Sequence, residues 1–269
     1  MPDNRQIAVF DSGIGSLSVI QALRQEMPNE SIVYLADRAH YPYGRKTKEQ
    51  LKSIIVQTLK FLEKFDLKSI IVASITPSML VLREAMLHTT VPVFGVYPVL
   101  EGAVALSKTK HIALMATAGT IQSDELDEYV KPYIMTTKIV MVDASPMIDV
   151  VESGKFLEDS NTKETIANAM HNVKSDPKID VAVLGSTHLP LIKDRIADLF
   201  PKMQFVNPAL DTVKQVKTYL QHQDMQSQGK GSMQILVSKK KEQFEKIIRA
   251  LGIKGKVEDI VLDFKVDLF

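Results

Sequence analysis

Short apolar runs alternate along this chain with longer stretches in which apolar residues return every three or four positions. The runs are Gln6–Phe10, Ser31–Leu35, Ser69–Ala73, Pro92–Val96, His111–Ala116, Lys138–Val142, Ile179–Leu184 and Met203–Val206. Several are continuously apolar rather than alternating, as expected for strands covered on both faces. Between them, Leu17–Met27 sets Leu17, Ile20, Leu23, Arg24 and Met27 at helical spacing and stops before Pro28. Lys48–Phe65 repeats Leu51, Ile54, Ile55, Thr58, Leu59 and Leu62 as a long amphipathic helix. Ser123 reads as an N-cap, with Asp124 and Glu125 in the first turn of a helix through Tyr129. Gln221–Ser232 reads as a loop or hairpin tip, followed by strand Met233–Ser238, helix Lys239–Leu251 and strand Val257–Leu262.

This alternation predicts an α/β fold of two doubly wound domains with mainly parallel sheets and a ligand cleft between them. Proline-marked crossings near Tyr97-Pro98 and Asn207-Pro208 divide the chain into 1–97 plus 207–269, and 98–206. Small polar residues at the carboxyl ends of such strands are where this architecture places ligand chemistry.

Bulk composition narrows the function classes. Of 269 residues, 33 are Lys or Arg and 32 are Asp or Glu, so the net charge of +1 argues against a nucleic-acid surface. A small anionic ligand needs only local donors and stays compatible. The expected partners therefore exclude nucleic acid, and they exclude membrane because no run approaches the ~18 apolar residues of a span. Met1–Gln6 carries no basic segment leading into an apolar one, so no signal peptide is expected. With no cysteine and six scattered histidines lacking His-x-x-x-His spacing, disulfides and metal sites are not expected, and a cytoplasmic setting fits.

Two strand-end motifs stand out: Val72-Ala73-Ser74-Ile75-Thr76-Pro77 and Leu184-Gly185-Ser186-Thr187-His188-Leu189. His188 is the strongest single candidate, placed beyond a strand end as an acid or base near neutral pH. A Ser-His-Asp hydrolase is disfavoured, because there is no Gly-x-Ser-x-Gly elbow and Ser186 and His188 are near neighbours in the chain. Asp11, in Phe10-Asp11-Ser12-Gly13-Ile14-Gly15, reads either as a general base or as an N-cap. The glycines lack nucleotide-binding spacing. Tyr41-Pro42-Tyr43-Gly44 reads as a structural turn, Thr117-Ala118-Gly119-Thr120 as a helix cap or an anion cradle, and Glu152 as a carboxylate whose role needs outside support. Lys239–Lys241 reads as a solvated helix start.

In their order along the chain these motifs resemble the glutamate racemase family, within the aspartate/glutamate racemase superfamily. The resemblance rests on Phe10-Asp11-Ser12-Gly13, Asp37 with Tyr41–Gly44, the Ser74 segment, Ala116–Thr120, Ala144-Ser145-Pro146 with Glu152, the Gly185–His188 segment and the closing strand–helix–strand. It implies cofactor-independent interconversion of L- and D-glutamate for peptidoglycan synthesis. In that reaction one thiolate removes the Cα proton while a second thiol delivers one to the opposite face. The two thiol positions fall at Ser74 and Ser186, with Asp11, His188 and Glu152 assisting. Ser12, Tyr43, Gly44, Thr76, Thr117, Thr120 and Thr187 would hold the amino acid.

The resemblance also carries an expected homodimer and a ligand that is glutamate or aspartate. A serine hydroxyl is barely ionised at neutral pH, whereas thiols have reference pKa values near ~8.5, so impaired turnover is expected. Ile75 stands where the family has Asn, and Pro77 and Leu189 depart as well. The alternative reading is a catalytically inactive homologue that binds an acidic amino acid or a protein partner.

Overall fold

The computed structural model describes residues 3–157 and 162–264. The chain divides into two compact units, one running to Val96 and resuming at Ala209, the other Tyr97–Pro208.

The first unit is built on strands β1 (Gln6–Asp11), β2 (Ile32–Ala36), β3 (Leu67–Val72), β4 (Val93–Gly95), β9 (Met233–Val237) and β10 (Lys256–Asp259). Its sheet has the order β10-β9-β2-β1-β3-β4 with every pairing parallel. The second unit holds β5 (His111–Ala116), β6 (Lys138–Asp143), β7 (Val181–Leu184) and β8 (Gln204–Val206) in the parallel order β6-β5-β7-β8. The central strands β1, β2, β3, β5 and β7 are almost wholly buried, which is what their continuous apolar runs require. The edge strands β10 and β6 carry charges and are partly exposed. This is the α/β architecture that the alternation predicts.

Helix ends follow local chemistry. Lys48–Leu62 starts in a capping box, with the Thr47 hydroxyl accepting from the Gln50 backbone and the Gln50 side chain accepting from Thr47. Its Leu51, Ile54, Ile55, Leu59 and Leu62 enter one apolar cluster with Phe10, Leu35, Ile70 and Tyr43. Ser123 caps Asp124–Val130 by accepting from Leu126 at 3.2 Å.

Several boundaries differ from the sequence reading for physical reasons. Strand β3 begins at Leu67 rather than Ser69 and takes in Lys68, whose ammonium is buried and lies 2.6 Å from Glu30 Oε2. Strand β4 loses both expected ends. Pro92 has no N–H to give, and the Val96 N–H donates to Ser78 Oγ at 3.0 Å. Strand β10 stops at Asp259; the Ile260 N–H still donates to the Val237 carbonyl at 3.0 Å, and Ile260, Leu262 and Phe264 pack against the apolar cluster. Helix Pro208–His222 overruns the start of the expected loop, and β9 then pairs in parallel with β2, which rules out a hairpin there.

Candidate functional site

Strand register gathers the candidate residues at one sheet edge in each unit. In the first unit, Asp11 pairs with Ala36 and Phe10 with Val72, so the chain leaves three adjacent strands at Asp11-Ser12, Asp37 and Ala73-Ser74. In the second, Ala116 pairs with Asp143 and Met115 with Leu184, which sets Thr117, Ala144 and Gly185-Ser186 side by side.

Asp37 organises the first edge. It is fully buried, and its backbone N–H donates to the Asp11 carbonyl at 2.8 Å. Its carboxylate accepts the Tyr43 hydroxyl at 2.8 Å and lies 2.7 Å from His40 Nδ1. Burial, followed by the charges of Asp37 and Asp11, raises the Tyr43 phenol well above its ordinary value, so it stays protonated. The phenol is thus committed to Asp37, and the Tyr43 backbone N–H donates to Ser12 Oγ at 3.3 Å. Asp11 accepts from the Ser12 N–H at 2.7 Å and does not cap the following helix, so the N-cap alternative fails. Arg38 is a member of this edge that local pattern does not reveal. Its guanidinium donates to the Ser12 carbonyl at 3.0 Å and lies over the Tyr41 ring at 5.1 Å.

Ser74 precedes the helix Ile75–Leu80, and its carbonyl accepts the Ser78 hydroxyl at 2.7 Å. Its own hydroxyl makes no hydrogen bond among the described residues of its unit. Thr76 is half-buried beside the Gly44 turn, where a side chain on Gly44 would reach within 3.9 Å of the Thr76 hydroxyl. Ile75 is buried at 5% exposure, so its side chain packs inward.

The second edge has a connected chain of proton-carrying groups. Ser186 Oγ is 3.4 Å from His188 Nδ1, and His188 Nε2 is 2.9 Å from Glu152 Oε2. All three residues are buried, at 7–8% exposure. Glu152 comes from the helix Ser145–Glu152 after β6, 36 residues from His188, and nothing local in the sequence reveals the pairing. Gly185 makes the turn feasible, because a Cβ there would sit 2.6 Å from the Met115 carbonyl oxygen. Thr117 caps the helical turn Ala118–Ile121 by accepting from the Thr120 N–H at 3.2 Å, and the two threonine hydroxyls are 2.9 Å apart. The helix-cap reading of this motif is therefore what the backbone uses. Ser145 joins it by accepting the Ala118 N–H at 3.0 Å. Thr187 is buried next to Ser186.

Among the described residues no cluster of His, Asp and Glu is arranged to hold a metal ion, and no helix is long and apolar enough to cross a membrane.

A family model for Asp/Glu/Hydantoin racemases matches residues 15–216. Glutamate racemase of Bacillus cereus is 30% identical over 228 residues, covering 84% of each chain, and that of Limosilactobacillus reuteri is 32% identical over 221, covering 81% of each. Among solved structures, a glutamate racemase isoform from Bacillus anthracis superimposes with a TM-score of 0.87 at 26% identity, over 98% of this chain and 100% of that one. Glutamate racemase from Francisella tularensis, solved in complex with D-glutamate, gives 0.82 at 25% identity over 97% and 99%.

Proposed function

Because the chain belongs to the Asp/Glu/Hydantoin racemase family, we propose that it exchanges the Cα proton of glutamate without a cofactor, through one well-equipped base and one poorly equipped one. The protein is of glutamate racemase type, and D-glutamate for peptidoglycan is the corresponding product.

The observation that carries the proposal is the Glu152–His188–Ser186 chain. In the tautomer with the proton on Nε2, Glu152 accepts from Nε2 and the Nδ1 lone pair faces Ser186. His188 then serves as proton acceptor directly or through the Ser186 hydroxyl, and the carboxylate stabilises the imidazolium that forms. Ser74 stands at the other thiol position and has no such partner in its unit among the described residues. Asp11 is the carboxylate assigned to that side, and Ser12, Gly44, Thr76, Thr117, Thr120 and Thr187 are assigned to the substrate's polar groups. Tyr43 is assigned to the same group, with its phenol bound to Asp37 and its backbone N–H to Ser12.

Loss of one positioned proton carrier costs about 10²–10⁴-fold. Incubation in deuterated water with L- and D-glutamate separately tests the reading. One enantiomer should gain Cα deuterium at least about 10²-fold faster than it converts into the other. Saturable glutamate binding with no deuteration of either enantiomer would overturn it and support an inactive binding homologue, the reading favoured by a Ser74 hydroxyl with no hydrogen bond among the described residues of its unit and by the buried Ile75. A cytoplasmic setting follows from the role in precursor synthesis. A homodimer comes from the resemblance alone and is checked by sedimentation velocity.

A further inference from the structure

The Ser186–His188–Glu152 chain has a chemical capacity that needs no Cα proton. We propose that Ser186 is an activated nucleophilic serine that takes an acyl or phosphoryl group from a small activated ester, with His188 as its base. Glu152 is the carboxylate that orients the imidazole. A nucleophile within reach of a base that is itself held by a third group is the general signature of covalent catalysis, whatever the chain positions of the three.

Each link is present. Glu152 Oε2 lies 2.9 Å from His188 Nε2, a contact that favours the tautomer with its ring proton on Nε2 and Nδ1 as the acceptor. Nδ1 faces Ser186 Oγ at 3.4 Å, a long contact that a small shift of either side chain brings within proton-transfer reach. The His188 backbone N–H also points to this oxygen at 3.4 Å, so the hydroxyl is held towards the imidazole from two directions. Burial of all three groups strengthens their electrostatic coupling relative to water.

Only Thr187 separates Ser186 from His188, a spacing that on sequence grounds argues against contact. In the fold His188 stands at the start of the short 3₁₀ turn Leu189–Ile192, and its Nδ1 nevertheless lies 3.4 Å from Ser186 Oγ. Ser74 lacks any comparable partner among the described residues of its unit, so the same reagent should distinguish the two serines.

Ser186 Oγ forms a bond to the electrophilic carbonyl carbon while its proton passes to His188 Nδ1. The tetrahedral adduct collapses, the bond to the leaving oxygen breaks, and His188 returns the proton to the leaving alcohol or phenol. Water, deprotonated by His188, then adds to the Ser186 ester, releasing the carboxylic acid and restoring the hydroxyl. With diisopropyl fluorophosphate the bond forms to phosphorus, and fluoride leaves with the proton as hydrogen fluoride.

The test uses the full chain with diisopropyl fluorophosphate, followed by intact mass and peptide mapping, and with p-nitrophenyl acetate, followed by phenolate release. One adduct per chain is expected, mapped to Ser186 and formed at least about 100-fold faster than in the urea-unfolded chain. Ser186→Ala should abolish it. Glu152→Gln should slow it about 10-fold or more, and His188→Ala about 100-fold with partial recovery on adding imidazole. The surface substitution Ser175→Ala should leave it unchanged. No adduct, an adduct elsewhere, or Ser186 labelling at an undiminished rate in the His188 and Glu152 variants would overturn the proposal. Wild-type mapping does not depend on any variant folding. The result is also independent of the racemase reading, which is scored by Cα deuteration.

Discussion

The Tyr43 hydroxyl donates to the fully buried Asp37 carboxylate at 2.8 Å, and the same aspartate lies 2.7 Å from His40 Nδ1. One residue thereby ties the end of β2 to the turn that supplies Ser12 and Gly44 with their neighbours. The Tyr43 phenol is raised by burial first and by the adjacent carboxylates second. A group whose folded pKa lies above its unfolded value near ~10 contributes stability that is complete below that pH and is lost as pH rises beyond it. An absorbance titration should therefore show Tyr43 ionising only with alkaline unfolding, and Tyr43→Phe should flatten the loss of stability above about pH 10.

Lys68 and Glu30 form a buried pair in which Lys68 Nζ also donates to the carbonyls of Asp3 at 2.9 Å and Met225 at 2.7 Å. Removing one partner leaves the other charge buried and unpaired. Lys68→Met should cost about 3–5 kcal/mol in urea denaturation, while Lys68→Met combined with Glu30→Leu should recover much of it. Equal loss in the single and double variants would mean that packing, not charge, dominates at this position.

Asp180 accepts from the Ser107 hydroxyl at 2.6 Å and from the backbone N–H groups of Lys108 at 2.8 Å and Thr109 at 3.1 Å. Burial pushes its carboxyl up, but these donors together hold it below the ordinary carboxylate range. Asp176 is lowered to about 2, chiefly by its hydrogen bond from Lys138. Depressed carboxylates contribute stability that is present above the unfolded value and lost as pH falls through the folded one. The urea midpoint should drop between about pH 4 and pH 2, and Asp180→Asn should both lower stability at pH 7 and shrink that acid dependence.

Gly185→Ala would place a methyl 2.6 Å from the Met115 carbonyl oxygen, which is backbone and cannot swing away. Overpacking of this kind costs about 1–3 kcal/mol, so thermal unfolding should occur at a lower temperature. The shift at Gly185 should also slow Ser186 phosphorylation, although no relay residue is altered.

On the proposed reading, Ser74→Cys supplies an ionisable group where the hydroxyl makes no hydrogen bond among the described residues of its unit, and adding Ser186→Cys supplies a second. Interconversion of glutamate enantiomers should rise at least about 10²-fold in the double variant. Adding Ile75→Asn places an amide at a position only 5% exposed. Without a partner there it should cost about 1–3 kcal/mol of stability, readable in the same denaturation experiment.

The strands and helices were legible because their signals are local. Continuous apolar runs mark β1, β3, β5 and β7, and the three-to-four spacing of Leu51, Ile54, Ile55, Leu59 and Leu62 marks one helix face. Misplaced boundaries arose where a distant group changed the local meaning. Lys68 sits inside a strand because Glu30 neutralises it, and β4 ends early because Ser78 takes the Val96 N–H.

By itself the sequence determined the α/β class, the strand ends where Asp11, Ser74, Thr117 and Ser186 lie, and the family resemblance that ordered motifs convey. Only the tertiary structure decided which of those residues touch. It joined Glu152 to His188, tied Tyr43 to Asp37, and left the Ser74 hydroxyl without a partner among the described residues of its unit. The reason is physical: periodicity and turn chemistry act over a few neighbouring residues, whereas hydrogen-bond partners depend on register and side-chain direction across elements far apart in the chain.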